Sequence, residues 1–525
     1  MLPLCKMTHA LTYRRISITN VVVNLAGFSP PATSLFSYIP WTCKASMPLS
    51  FAPYAFRQIF WGILAVILLA PLPLGSNRPL PAALLLAATG ILLIAWSAHQ
   101  AFASTGPEGP DKTRFKSLAL PLVLYGLTLI WILVQSAPLP APDAGMFNSW
   151  ASPLWGEASA ALGVPLSAHI SIVPSATYAG TMQLMAYAGI FWLALLLTRD
   201  PARAAQARLA IIAAGSVYSL YGLFAFFGGE DWLLGNIGAR PDASLTSSFI
   251  NRNSFATFAG LTLLAAVSLF LERIRHLLGL ERPLRRKAAL LIEHMIFQSG
   301  WLTGALLAIM LALLLTTSRG GILASFFALG ALVLLQLPRR TRAPGQPIGF
   351  AILIIVGIAV IAGGGNFIDR LERQGLSLET DLRTTLFTTT TSAIQTAPLT
   401  GTGLGAYELA IEPYRANDPN IFALWEKAHN TYLENAMELG LIATLTLNLS
   451  ILLLARIAFR GIGARKRHKS FPALGVAATL LVGLHALVDF SLQIPAVAVL
   501  YAFMMGLAVA QSAPARQRAA SPIQA

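Results

Sequence analysis

Charged residues are scarce in this chain of 525 residues. Asp, Glu, Lys and Arg together make up 11% of it, whereas 55% of the residues are hydrophobic. Soluble globular proteins carry about 25% charged residues. The composition therefore argues against a soluble protein and predicts a polytopic membrane protein of the all-α class.

Cysteine is almost absent. The two cysteines, Cys5 and Cys43, both lie in the N-terminal tail, so neither a disulfide framework nor a cysteine-based metal site is available. Carboxylates are present, but no His pair, DxD motif or other spacing of metal ligands accompanies them. We therefore expect no metal and no other cofactor.

Long apolar segments recur along the chain. A hydrocarbon core about 30 Å thick requires about 20 apolar residues per helix, and most of these segments approach that length. The pattern predicts about twelve transmembrane helices. They lie at 59–74, 79–98, 117–136, 177–198, 209–228, 253–271, 299–317, 320–337, 348–364, 431–455, 471–490 and 494–511.

The formal net charge of +15 could suit nucleic acid, but the positions of Lys and Arg explain it as a topology signal. Counted from a cytoplasmic N-terminus, the cytoplasmic connections and the C-terminal tail carry 23 of these residues, and the opposite connections carry 9. Positive charge accumulates in cytoplasmic loops. We therefore expect both termini in the cytoplasm, membrane lipids around the helices, and no nucleic-acid partner.

The chain divides by composition into five parts. Residues 1–46 have mixed polarity, and we interpret them as a poorly ordered extension or as a start assigned upstream of Met47. The other parts are N-terminal transmembrane helices at 47–208, a transmembrane core at 209–364, a large loop at 365–430, and C-terminal transmembrane helices with a tail at 431–525.

The loop of residues 365–430, between the ninth and tenth apolar segments, is too long for a simple connector. It holds a predicted helix that is led by Arg383 and ends at about Thr396, and then a glycine-rich turn at 401–405 that we interpret as a hinge rather than a nucleotide loop. Its aromatic and polar side chains suit sugar rings, although the aromatics could equally anchor the loop at the membrane surface. They include Tyr407, Glu412, Tyr414, Arg415 and Trp425.

Two arginines lie in short polar motifs on the expected outer face. Arginine is unusual there, because positive charge accumulates in the cytoplasmic loops. Arg252 lies in the motif NRN at the sixth segment, and Arg319 lies in SRGG between the seventh and eighth segments. Both could extend to lipid phosphates. The alternative is that they bind a phosphate group of a substrate, because the planar guanidinium offers paired donors.

The segment HNTYLENAMELG, residues 429–440, joins the large loop to the tenth apolar segment. Thr431 and Glu434 have the spacing of a capping box, so a helix should begin at about Thr431 and continue to residue 455. His429 then lies near the positive end of a helix dipole, where a neutral, proton-accepting imidazole is favoured. A capping or surface histidine is the alternative interpretation.

Four motifs follow one another on the expected outer face: SRGG, an arginine-led helix followed by PLTGTGLG, HNTYLENAMELG, and HALVDFSLQIP. In this order they resemble the bacterial O-antigen ligase and O-antigen polymerase superfamily, over about residues 210–510. The ligase signature of His, then Asn, Ser or Gln, nine residues and Gly is met by His429, Asn430 and Gly440. Ala443 stands where that signature has Gly, Thr or Tyr, which leaves both ligase and polymerase open.

The resemblance implies a bacterial inner-membrane enzyme whose site faces the periplasm. Such an enzyme transfers a glycan from undecaprenyl diphosphate to an acceptor hydroxyl, without a metal and with inversion at the anomeric carbon. The acceptor would be the lipid A core for a ligase and a polysaccharide chain for a polymerase.

The resemblance also implies roles for individual residues. Arginines would stabilise the diphosphate leaving group, with Arg319 and Arg383 as the first choices and Arg252 next. His429 would orient the acceptor or take its proton. Asn430 and the loop side chains named above would contact the substrate. The late pair of His485 and Asp489 would be structural.

A transporter or flippase for the same lipid-linked glycan is the alternative of another class. Transporters tend to show charges within the membrane, broken helices and repeated halves. Here the middle positions of the apolar segments are nearly free of charge and no internal repeat is visible, whereas the polar motifs concentrate on one face. These features favour an enzyme.

Overall fold

The computed structural model describes residues 52–72, 74–102, 112–139, 151–228, 244–278, 284–336, 376–415, 426–465 and 468–513. All of these residues belong to one compact unit, Ser46–Ala525. Their regular secondary structure is helical, which confirms the predicted all-α class. The extension predicted at residues 1–46 lies outside the described residues.

Sixteen α-helices occur in these ranges. The first eight are α1 (Ala52–Leu69), α2 (Pro79–Phe102), α3 (Lys112–Ser136), α4 (Ala151–Leu162), α5 (Pro174–Leu197), α6 (Pro201–Gly228), α7 (Arg252–Leu278) and α8 (Leu284–Glu293). The others are α9 (Gly300–Leu315), α10 (Arg319–Gln336), α11 (Leu376–Thr396), α12 (Tyr407–Arg415), α13 (Thr431–Leu439), α14 (Leu441–Ala464), α15 (Ser470–His485) and α16 (Pro495–Ala510).

Seven helices of the described part are long and apolar enough to cross a membrane, namely α2, α3, α5, α6, α7, α10 and α14. An eighth span results if α9 is joined with the bent segment before it, while α1, α15 and α16 contain shorter apolar helices. The predicted multi-pass membrane fold is thereby confirmed. The count of twelve stays a prediction, and its ninth segment, 348–364, lies outside the described residues.

Helices α7 and α16 form the centre of the bundle. In α7, 83% of the apolar stretch that is long enough to span a membrane is buried inside the protein. Nearly every residue of α16 is buried as well. The peripheral helices α2, α3 and α14 instead expose large apolar side chains such as Leu80, Ile130 and Leu445. Such faces are costly in water but suit contact with lipid tails, which are equally apolar.

Helices α11, α12 and α13 form a separate layer, which we call the cap layer. The shared core of this layer consists of Leu386, Ala393, Ile394, Tyr407, Ala410, Ile411, Ala428, Ala436 and Met437. Helix α11 ends at Thr396, as the sequence predicted, but it begins at Leu376, so the prediction that Arg383 leads the helix is wrong. The cap layer contacts the end of the bundle at which α15 terminates, because the N–H of Thr431 donates to the carbonyl of Ala486 at 2.9 Å.

The glycine-rich turn at 401–405 is packed between the cap layer and the chain that precedes α5. The N–H of Gly403 donates to the carbonyl of Glu438 at 2.9 Å, and the N–H of Thr402 donates to that of Met437 at 3.0 Å. A Cβ atom at Gly403 would lie only 2.2 Å from Oγ of Ser171. The turn is therefore closely packed in this structure, and its interpretation as a hinge stays a prediction.

The segment predicted as one helix over 431–455 is broken at Gly440. This residue has φ 79° and ψ 163°, and a Cβ atom there would lie 2.2 Å from the carbonyl oxygen of Leu399. The N–H of Leu441 donates to the carbonyl of Pro398 at 2.8 Å, so the break is fixed to the end of α11. The prediction of a continuous helix is wrong because the apolar pattern runs on through a glycine whose conformation other residues rarely adopt.

Close packing of α16 against α5 depends on Gly506. A Cβ atom at this position would lie 2.4 Å from the carbonyl oxygen of Phe191 and 2.7 Å from Cβ of Ala194. Small residues allow membrane helices to approach at backbone contact. The centre of the bundle therefore has no room for even a methyl group at this point.

We expect Gly506→Ala to destabilise the protein by about 1–3 kcal/mol, the usual cost of overpacking a core. Gly304→Ala is the matched control, because a Cβ atom added at Gly304 in α9 would meet no packing neighbour within 4 Å, and alanine favours a helix. The measurement is the melting temperature of the purified protein in detergent. Equal melting temperatures for the two variants would contradict the packing argument.

Candidate active site

Three polar motifs meet where α7 and α10 begin. The side-chain amide of Asn253 donates to Oδ1 of Asp489 at 3.0 Å, and its oxygen accepts a hydrogen bond from Oγ of Ser318 at 2.7 Å. Asp489 is fully buried, and Oδ2 of its carboxylate also accepts from the hydroxyl of Ser491. This chain of hydrogen bonds joins the motifs NRN, SRGG and HALVDF.

His485 fixes the same junction from the other side. Its Nδ1 lies 2.7 Å from Oγ1 of Thr257, one turn into α7. Its ring packs against the backbone of Gly320 and Gly321, where added Cβ atoms would lie 3.2 Å from ring carbons. Both side chains are buried, and the structural role of the pair stays a prediction. The prediction that both residues lie on one helix is wrong, because α15 ends at His485 and Asp489 lies beyond it.

The arginines of the two motifs occupy the first positions of their helices. Arg252 begins α7 and donates from Nη1 to Oγ1 of Thr317 at 3.4 Å, and Arg319 begins α10. Helix N-termini carry partial positive charge and favour anions. The hydrogen bond between Ser318 and Asn253 therefore brings two helix N-termini and two arginines into one region.

Arg383 approaches this region from the cap layer. It lies on α11 with a half-buried side chain, and its charge is close enough to act electrostatically on His485. The three arginines singled out from the sequence consequently lie around the same junction of α7, α10 and α15.

His429 is held by the turn that contains Asp489. The hydroxyl of Thr431 donates to the carbonyl of Asp489 at 2.8 Å, and the ring of His429 meets that of Phe490 edge to face at 5.1 Å. His429 has φ 51°, a left-handed conformation that costs a non-glycine residue about 1–3 kcal/mol. Surrounding contacts therefore impose a strained backbone on the histidine that the sequence singled out.

Asn430, rather than Thr431, caps helix α13. Its side-chain oxygen accepts from the N–H groups of Tyr432 and Leu433 at 3.0 and 3.1 Å. Glu434 does not close a capping box but reaches back to the N–H of Ala428 at 2.9 Å. The predicted start of the helix is confirmed, whereas the predicted cap is wrong because asparagine is the better acceptor at this position.

Two buried glutamates lie four residues apart on α13. The sequence analysis missed Glu438 and gave Glu434 only a capping role. Glu434 pairs with Nζ of Lys427 at 3.1 Å, and Glu438 accepts from the N–H of Tyr407 at 3.0 Å. Burial and the charge of Glu434 raise the pKa of Glu438 to about 7. Burial lowers the pKa of Lys427, but the two carboxylates outweigh this effect and raise it. Two acidic residues at helical spacing beside a buried face were the available signal.

Tyr407 lies in the core of the cap layer. Its side chain is 1% exposed, and its hydroxyl lies 2.9 Å from Oγ1 of Thr390. Burial raises its pKa above the ordinary value for tyrosine. This placement argues against the expected part of Tyr407 in a sugar-binding surface, since neither face of the ring is open.

The other loop residues proposed for sugar contact lie along α12 or beyond it. Tyr414 contacts Oγ1 of Thr396 through its hydroxyl at 2.6 Å, and Arg415 forms an ion pair with Glu412 one turn away. These contacts place the three residues toward the end of α12. Trp425 lies outside the described residues.

Comparison with known families identifies the domain that contains most of these residues. Residues 304–447 match the family described as O-antigen ligase (Wzy_C). The chain carries an O-antigen ligase domain. The resemblance seen in the motifs is thereby confirmed, and the domain implies glycan transfer of the ligase or polymerase type on lipid-linked glycans. No curated protein matches the chain.

The O-antigen ligase domain extends from α9 into α14, and therefore includes Arg319, Arg383, the cap layer and His429. Asn253, His485 and Asp489, which position these residues, lie outside the matched range. Among the described residues, no group of three or more His, Cys, Asp or Glu side chains is arranged to hold a metal ion. The expectation of no metal stays a prediction.

A cavity of about 1080 Å³ opens beside the ligase domain. Its walls are largely apolar and include Leu86, Leu122, Phe191, Trp192 and Met505. Polar side chains also line it, among them Arg78, Gln183, Lys427, Asn435 and Glu438. The cavity reaches Thr431 and Phe490, the two residues that hold His429. Its mixed lining suits a ligand with one long apolar part and one polar part.

The raised pKa of Glu438 predicts a pH-dependent stability. The folded protein keeps a proton that the unfolded chain releases, so this contribution is fully present below about pH 4.5 and is lost as the pH rises through about 7. Between pH 5 and pH 8, the wild type should lose about 2–3 kcal/mol relative to Glu438→Gln, whose amide oxygen still accepts from Tyr407.

Melting temperatures of both proteins in detergent, measured across this pH range, test the expectation. Glu408→Gln is the control, because Glu408 is exposed on α12. A constant difference between the wild type and Glu438→Gln at all pH values would contradict it.

Proposed function

We propose that this protein transfers a glycan from undecaprenyl diphosphate to an acceptor hydroxyl, on the periplasmic side of a bacterial inner membrane. The observation that carries the proposal is the junction built around Asp489. Through Asn253 and Ser318 it joins the helices that begin with Arg252 and Arg319, and through Thr431 it joins the segment of His429.

The arginines suit the leaving group of this reaction. Breaking the bond between sugar and diphosphate leaves negative charge on the phosphate oxygens, which positive groups must stabilise in the transition state. Arg252 and Arg319 lie at helix N-termini, which favour anions, and guanidinium groups donate paired hydrogen bonds to phosphate. Arg383 adds a third positive charge from the cap layer.

His429 suits the acceptor side. In its neutral form the imidazole would take the proton of the acceptor hydroxyl while the oxygen attacks the anomeric carbon. A new glycosidic bond forms, the bond to the diphosphate breaks, and the diphosphate leaves with the electron pair. A single displacement of this kind inverts the anomeric carbon.

The cavity supports a lipid-linked donor. Apolar walls suit the polyprenyl chain, and the polar lining suits the diphosphate and the first sugars. Because the cavity reaches Thr431 and Phe490, a donor bound there would place its polar end beside the residues that hold His429.

The identity of the acceptor separates a ligase from a polymerase. Ala443, the departure from the ligase signature, is buried in α14 and packs in a cluster with Ile132, Leu439 and Leu447. A small residue fits that helix contact, so the departure is compatible with ligase activity. We therefore propose the lipid A core as the acceptor. A growing polysaccharide chain is the alternative acceptor.

Reconstitution in detergent tests the proposal. Purified protein is mixed with an undecaprenyl-diphosphate-linked oligosaccharide and, in parallel, with lipid A core or a second lipid-linked glycan, with and without EDTA. We expect EDTA-resistant transfer, reduced about 10²- to 10⁴-fold by His429→Ala and about 10²- to 10³-fold by Arg319→Ala. The readout is glycan attached to each acceptor, measured by mass spectrometry.

Two variants at the opposite end of the bundle serve as matched controls, His99→Ala in α2 and Arg456→Ala in α14. Both should transfer as the wild type does. If His429→Ala and Arg319→Ala also keep full activity, the assignment of the site is wrong. If the protein reconstituted in liposomes instead moves the donor across the bilayer without transfer, the flippase alternative replaces the enzyme.

A further inference from the structure

An exposed apolar surface lies at the end of the bundle opposite the candidate site. Helix α7 leads from Arg252 at the site to this end, and α8 follows, with a π-helical turn at His294–Gln298 before α9. The segment Ala289–Gln298 is bent by 96° against Gly300–Leu315. Where α9 crosses the membrane, a helix at a right angle to it lies along the membrane plane.

The corner between these segments is fixed by hydrogen bonds. Oγ of Ser299 lies 3.1 Å from Nε2 of His294 and accepts from Nη1 of Arg273 at 3.2 Å. Nδ1 of His294 lies 2.8 Å from Oε1 of Gln298. Both His294 and Ser299 are buried. The right angle is therefore part of the packed structure and not the result of a loose connection.

The bent segment exposes large apolar side chains. Phe297 is 81% exposed, and Ile292 and Ile296 are more than half exposed. On α9, Trp301 and Leu307 are also more than half exposed. Helix α9 is strongly apolar, and lipid that covers Leu307 would also cover Phe297.

The start of α8 carries positive charge. Arg285 and Arg286 are both exposed, and Glu293 is the only acidic residue of the helix. Arg273 lies over the ring of Trp301 with its guanidinium carbon 5.1 Å from the ring centre. Arginine beside tryptophan and an apolar face is typical of helices at the surface of anionic membranes.

We propose that Leu284–Gln298 is a membrane-surface anchor that binds anionic phospholipid. Ile292, Ile296 and Phe297 insert among the acyl chains, and Arg285 and Arg286 bind the phosphate groups of anionic headgroups. The proposal concerns a surface remote from the transferase site and does not rest on the proposed function.

Depth measurements on the full chain in lipid nanodiscs test the insertion. The chain has two cysteines, so Cys5→Ser and Cys43→Ser give a background for single spin labels. A label at Phe297→Cys should collide with oxygen in preference to a water-soluble nickel chelate, as a label at Leu307→Cys does. A label at the exposed cap-layer position Glu408→Cys is the aqueous control. If the label at Phe297→Cys is as accessible to nickel as that control, the anchor is overturned.

Lipid selectivity is tested with a fluorophore at Phe297→Cys and brominated lipids, which quench at short range. At matched fractions, brominated phosphatidylglycerol should quench more strongly than brominated phosphatidylcholine. The preference should fall on the order of tenfold in Arg285→Gln/Arg286→Gln and persist in the control pair Arg456→Gln/Arg460→Gln on α14. Equal quenching by both lipids in the wild-type background, or an unchanged preference in the first pair, overturns headgroup binding.

Discussion

The buried carboxylate of Asp489 is the group on which the geometry of the site depends. A charge without contact to water is costly unless hydrogen-bond donors surround it. Here the donors come from Asn253 at the start of α7 and from Ser491, while the carbonyl of Asp489 accepts the hydroxyl of Thr431. The carboxylate of Asp489 thus holds the helix of Arg252, and its backbone carbonyl holds the segment of His429. Ser318 extends the connection to Arg319.

Much of the fold follows from the apolar pattern alone. The backbone groups of a membrane helix must form their hydrogen bonds within the helix, so membrane helices are recognised in a sequence by their length and hydropathy. Helix α11 ends at Thr396 as predicted, because Pro398 and the glycines that follow cannot continue it. The break at Gly440 was not predictable in the same way. It depends on contacts with Leu399 and Pro398, which are distant in sequence from the apolar run that they interrupt.

The candidate site was predictable in its charged residues but not in the residues that hold them. Arginine on the face that disfavours positive charge is visible in one sequence, and this signal singled out Arg252 and Arg319, whereas Arg383 was singled out by the resemblance of its motif. Their roles stay predictions. Asn253 carries no comparable signal, because its role arises only when Asp489 is folded beside it. Tyr407 illustrates the opposite error: an aromatic residue in a polar loop suggested a binding surface, yet its ring fills the core of a small helical layer.

The order in which the parts of the junction occur along the chain has a consequence for biogenesis. A membrane protein is synthesised and inserted from its N-terminus. Asn253 and Ser318 enter the membrane early, whereas Asp489, the acceptor on which they depend, follows α15 near the C-terminal end of the fold. The junction consequently stays open until almost all helices are in place. A nascent or truncated chain therefore contains the arginines and the histidine but lacks the hydrogen bonds of Asp489 that hold them together. The order of synthesis thus delays assembly of the site until the last helices are inserted.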